Sequence, residues 1–82
     1  LSAEVGVVTL DLAELYLRQG RVAEVLGAVA EAVPIFQALG IRRELLAALL
    51  KVREVAHHQQ AAIKLLRNVV QAVRAGGLEL PA

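Results

Sequence analysis

Cysteine, tryptophan and methionine are all absent from this sequence, which holds one tyrosine and one phenylalanine. Without cysteine there is no disulfide, no thiolate nucleophile and no cysteine-based zinc site, a composition that suits a reducing cytoplasm. With so few aromatics, the 57% hydrophobic content of the 82 residues is carried by Ala, Leu and Val. These favour helices to differing degrees, and an Ala-rich core buries little area per residue. No apolar run approaches the roughly 18 residues that span a bilayer; the densest stretch, ELLAALLKV (44–52), is broken by Lys51 and followed by Arg53. An excess of one charge is also missing. Nine basic and eight acidic residues leave +1, so no global field steers the chain to nucleic acid or an anionic membrane, and neither is expected as a partner.

Catalytic parts are equally scarce. Ser2, Thr9 and Tyr16 are the only hydroxyl side chains, Ser2 is placed to cap a helix, and a nucleophile needs a base and an orienting third group. Asp11, Glu14, Glu24, Glu31 and Glu54 fit the solvent faces of amphipathic helices. No Gly-x-Gly-x-x-Gly or Gly-Lys-Ser/Thr pattern exists to hold phosphate. His57 and His58 are adjacent, so on a helix they point about 100° apart, and Glu54 with His58 makes only half a metal site. No enzyme activity, metal or cofactor is expected.

What is present is helical periodicity divided by glycine and proline. Ser2 and Glu4 suit a helix start, after which Val5, Val8, Leu12, Leu15 and Tyr16 form an apolar stripe until Gly20 supplies a left-handed stop. A second helix begins near Arg21 with Val22, Val25, Leu26, Val29 and Val33 on one face; Pro34 kinks or restarts it before Gly40. A third begins near Arg42 with Leu45, Leu49, Val52 and Ala56. After the polar HHQQ segment (57–60), a fourth carries Ala62, Leu66, Val69 and Val73 until Gly76 and Gly77. Gly6 and Gly27, inside helices, imply either close helix approach or tolerated exposure. No period-two alternation suggests a strand.

Short connections make consecutive helices antiparallel. Leu10 and Leu17, and likewise Leu46 and Leu50, lie off the main stripes, so helices one and three have second apolar faces, the demand of a stacked array. A weak repeat agrees: Leu10, Leu12 and Tyr16 align with Leu46, Ala48 and Val52, and Val22, Val25, Leu26, Val29 and Val33 with Gln59, Ala62, Ile63, Leu66 and Val70, the slip falling in the turn.

The run Leu12-Ala13, Tyr16, Gly20 resembles the tetratricopeptide repeat, in which a Leu, a small residue, a Tyr and a turn Gly mark the first hairpin half. Val25, Val29 and Ala32 fall where that family has a small residue, a large apolar residue and a second Ala. Thr9 replaces the usual aromatic, Pro34 comes late, and the second hairpin keeps only the hydrophobic skeleton. The resemblance implies an all-α fold of two antiparallel hairpins, 2–40 and 41–75, stacked as a right-handed array, with 76–82 as a tail. It implies a protein-interaction scaffold whose first helices line a concave face, here Leu10, Glu14, Leu17, Arg18, Leu46, Leu50, Arg53 and Glu54.

Four leucines with mixed charges suit an apolar helix or another copy of the domain better than an acidic peptide tail; the equal alternative is that these leucines pack on each other or on neighbouring repeats. The apolar excess in so small a chain favours a homo-oligomer, most simply a dimer. The start at Leu1 and the Ala, Leu, Val and Arg bias read as a fragment of a larger bacterial protein. The rival reading is a DNA-binding or regulatory helical domain. RQGR (18–21) resembles a helix-turn-helix corner, but the helix after it carries Glu24 and Glu31 and no basic residue. The fourth helix, with Lys64, Arg67, Asn68, Gln71 and Arg74, is the only basic face available to that rival.

Overall fold

The computed structural model describes residues 2–78 as four helices: α1 (Ala3–Arg18), α2 (Val22–Ala38), α3 (Arg43–Glu54) and α4 (Gln59–Arg74). The all-α class read from the periodicity holds. The first two turns close as expected. Gly20 and Gly40 take φ of 70° and 77°, and the next amide in each case reaches back five residues, Arg21 N to Tyr16 O at 2.9 Å and Ile41 N to Phe36 O at 3.0 Å. That bond satisfies a terminal carbonyl, and the left-handed geometry it needs is strained for any residue with a Cβ. The third turn has no glycine. There His58 N bonds Val55 O at 2.8 Å, and the Gln59 side chain donates to Leu17 O at 2.6 Å, tying the start of α4 to the end of α1.

The helices close into a ring. α1 packs on α2 and α4, α3 packs on α2 and α4, and α1 and α3 lie diagonally without contact. A stacked array sets the first helices of successive hairpins side by side, so the expected stacking is not what these contacts describe. α4 lies against α1 instead, and along that seam Arg67 reaches Glu14 at 3.2 Å and Arg74 approaches Asp11 at 4.0 Å.

The core is wholly apolar among the described residues, with no buried polar or charged side chain. Phe36, Leu10, Leu17, Leu49 and Leu66 are its largest fully buried members. On α4 the expected stripe is the buried one: Ala62, Leu66, Val69 and Val73 all face inward. On α3, Leu49, Val52 and the following Ala56 are buried and Leu45 is half-buried.

On α1 the expected stripe is the wrong face. Val5, Val8, Leu12 and Leu15 are 42–57% exposed, whereas Gly6, Val7, Leu10, Ala13 and Leu17 are buried. The second face assigned to Leu10 and Leu17 is in fact the inner one. Close approach explains the choice. The Phe36 ring rests on Gly6, where an added Cβ would lie 2.6 Å from Phe36 Cζ. A helix that turns glycine and alanine toward its neighbour lets the backbones draw together, which dispersion contacts reward.

Smaller departures follow the same logic. α2 does not restart at Pro34 but is one helix through it; Pro34 and Ala30 are both exposed, so the carbonyl deprived of its donor is on the solvent side. Its buried side is Val25, Ala28, Val29, Ala32 and Phe36, with Leu26 outside. Ser2 occupies the N-cap position of α1 but makes no side-chain capping bond. The tail boundary at 76 falls too early: Gly77 is buried, its carbonyl accepts from Arg42 N at 3.2 Å, and Leu78 pairs with Ile41. Residues 79–82 of the expected tail lie outside the described residues.

The two internal glycines give opposite expectations. Gly6→Ala gains helix propensity of up to about 1 kcal/mol but must displace Phe36, and overpacking of this kind costs about 1–3 kcal/mol. Gly27 has nothing within 4 Å of an added Cβ. Thermal unfolding should therefore show Gly6→Ala less stable than the parent and Gly27→Ala equal or more stable; the reverse order would contradict the packing of α1 on α2.

Candidate interaction surface

The eight residues expected on one concave face do not share a surface. Leu10 and Leu17 are 0% and 1% exposed and belong to the core. Glu14 is on the α1–α4 seam, and Arg18, one turn on, is exposed beside it. Leu46 is half-buried, while Leu50, Arg53 and Glu54 are exposed on α3, across the diagonal of the ring. The groove between α1 and α3 does not form, because α4 occupies the place beside α1 that a stacked third helix would take.

The accessible apolar surface lies instead on the outside of α1. Val5, Val8, Leu12 and Leu15 stand at 3–4–3 spacing, the register of a coiled-coil seam, and point away from the buried side of the helix. Next to them, between α1 and α2, runs a shallow groove of about 220 Å³ lined by Leu12, Tyr16, Glu24, Gly27, Ala28 and Glu31. Its floor is low because α2 presents Gly27 and Ala28 there. At one end Arg21 lies over the Tyr16 ring, 5.0 Å from its centroid, and also pairs with Glu24 at 3.6 Å.

The electrostatics are polarised in a way that the net charge of +1 conceals. Residues 2–40 carry two arginines against five acids, a net −3; residues 41–75 carry seven basic residues against two acids, a net +5; Glu79 makes up the total. The division was legible in the sequence by counting each hairpin separately. Part of it is spent inside the molecule. Glu14 accepts from Arg67 Nε and Nη2 at 3.2 and 3.3 Å, and from Arg18 Nε and Nη2 at 3.2 and 3.0 Å. The hydrogen bond from Arg67 above all holds the Glu14 carboxyl below its ordinary range; burial pushes the other way, and the hydrogen bond from Arg18 adds to the lowering.

Other chemistry is not assembled. His57 and His58 are exposed in the third turn, and no group of three metal-ligating side chains comes together among the described residues. No helix among them is long and apolar enough to cross a membrane. Compared with known protein families, with curated proteins and with solved structures, the chain matches none.

The seam carries a pH expectation. A carboxyl with a depressed folded value stabilises the fold fully above its unfolded value, and that contribution is lost as pH falls through the folded one. Glu14→Gln should lower the melting temperature by a few degrees near neutral pH, corresponding to about 1 kcal/mol for a partly exposed pair network. The gap should close in acid once Glu14 is protonated in both states. A gap that persists unchanged at low pH would remove the ion pairs as its cause.

Proposed function

We propose that this chain is a non-catalytic helical interaction module, and that its docking surface is the outer face of α1 with the adjoining groove of α2. The observation that carries this reading is the α1 stripe: four large aliphatic side chains in heptad register, 42–57% exposed, on a helix whose opposite side already fills the core. Together they form one contiguous apolar strip on the helix surface, the kind of patch that is often functional. A helix is the partner shape that such a stripe accepts, laying its own 3–4–3 ridge beside it.

The tetratricopeptide resemblance of the first hairpin supports the same class. Ala13 is buried, Tyr16 is half-buried and Gly20 is left-handed, and interaction through helical hairpins is what that family's pattern implies. Within this reading the protein is bacterial and cytoplasmic, and its partner is an apolar helix or another copy. A DNA-contacting role draws on the basic residues of α4, but Arg67 and Arg74 face Glu14 and Asp11. Lys64 is left with Asn68 and Gln71, too little positive charge for a phosphate-tracking face.

A docking surface is dispensable for folding, and that is testable. The double substitution Val8→Glu, Leu12→Glu should leave the far-UV circular dichroism helical and move the unfolding free energy by less than about 1 kcal/mol, as surface changes do. A loss of several kcal/mol would show that the stripe is part of the core, and the reading would fall.

A further inference from the structure

We propose that the second chain seated on α1 is another copy of this protein, added head to tail, with the outer face of α3 in one copy packing on the outer face of α1 in the next. This rests on the interaction-module reading above and names its partner.

Three observations converge. First, α3 has an unpartnered face of its own, with Leu50 39% exposed beside exposed Ala47 and half-buried Leu46. Leu46 and Leu50 are one turn apart, so the ridge is short and is continued in the 3–4–3 register by Arg43 and Arg53. Second, the two faces have opposite charge. The α1 side is bordered by Glu4 and Glu31, neither with an ion pair among the described residues, and by Glu24 in the groove. The α3 ridge is bordered by Arg43, Lys51 and Arg53 against one acid, Glu54, none of the four with an ion pair among the described residues, so its border is net basic. Apolar matter would meet apolar matter, flanked by acid against base.

Third, α1 and α3 are diagonal in the ring, so their outer faces point to opposite sides of the molecule. A two-fold dimer through α1 would leave the α3 ridge bare. A head-to-tail junction covers one face of each kind. Such a heterologous contact propagates unless its rotation closes a ring. The α1 stripe is small beside the roughly 800 Å² per partner buried in a stable interface, so the assembly is weak and concentration-dependent, and opposite charges at its border make salt weaken it.

The test is light scattering on the full chain and two variants, Leu12→Glu and Leu50→Glu, from about 10 µM to 1 mM. The parent should grow continuously past two chains as concentration rises, and shrink toward the monomer in high salt. Each variant alone should remain a monomer. Their mixture should form a one-to-one dimer, since Leu50→Glu keeps an intact α1 face and Leu12→Glu keeps an intact α3 ridge. Should Leu50→Glu lose helicity, the charge reversal Arg43→Glu, Arg53→Glu blocks the same ridge without touching the core.

A parent that stops at a dimer, lost in Leu12→Glu but kept in Leu50→Glu, would overturn the head-to-tail junction in favour of a two-fold contact through α1. A parent that stays monomeric to the highest concentration would overturn self-association itself. In both cases the interaction-module reading stands or falls separately, on the stability of the Val8→Glu, Leu12→Glu variant.

Discussion

The contact between Gly6 and the Phe36 ring decides how α1 lies, and most else follows. α1 is apolar around nearly its whole circumference, so hydrophobicity alone does not choose its buried side. The chain's one phenylalanine needs a flat, close seat, and the only residue on α1 without a Cβ supplies it. With Gly6 inward, Ala13 is also inward, α1 and α2 draw together, and Leu10, Leu17, Val25 and Val29 are all buried in a core with no buried polar or charged side chain among the described residues. The larger side chains at 5, 8, 12 and 15 are left outside. The exposed stripe is thus a consequence of the core and not an addition to it.

That sequence of causes also explains what could be read in advance. On α4 one side is plainly polar, with Gln60, Lys64, Arg67, Asn68 and Gln71, so the buried set Ala62, Leu66, Val69 and Val73 was unambiguous. On α1, Val5, Val8, Leu12 and Leu15 are larger than Gly6 and Ala13, and size favoured the wrong side. Residue volume measures how much burial would be gained; it does not measure how closely two helices can approach. Gly6 was the available signal, and only a partner ring located elsewhere in the chain turns it into a choice of face. Pro34 did not restart the helix, because on the exposed side its missing donor leaves a carbonyl to water.

The turns at Gly20 and Gly40 and the antiparallel hairpins were legible because they are local. The closing of α4 onto α1 was not. It brings together residues far apart in the chain: Glu14 meets Arg67, 53 residues on, and the Gln59 side chain finds a carbonyl of the first helix. The candidate surface inherited both errors. Leu10 and Leu17 were assigned to it from the wrong face of α1, and the expected neighbourhood of α1 and α3 came from a stacking that the ring does not follow. Leu50 and Arg53 remain accessible, on the far side of the molecule from the α1 stripe.

Everything rests on which face of α1 meets water, and the absence of cysteine makes that directly measurable. Single Leu10→Cys and Leu12→Cys variants, held dilute enough to be monomeric, can be reacted with an aromatic disulfide reagent under native conditions. The account predicts that the thiol at 12 reacts near the rate of a free thiol, and that the thiol at 10 is slowed by orders of magnitude, reacting only when the bundle opens. Fast reaction at 10 with protection at 12 would mean that α1 is turned the other way, and the exposed stripe, with every surface drawn from it, would be wrong.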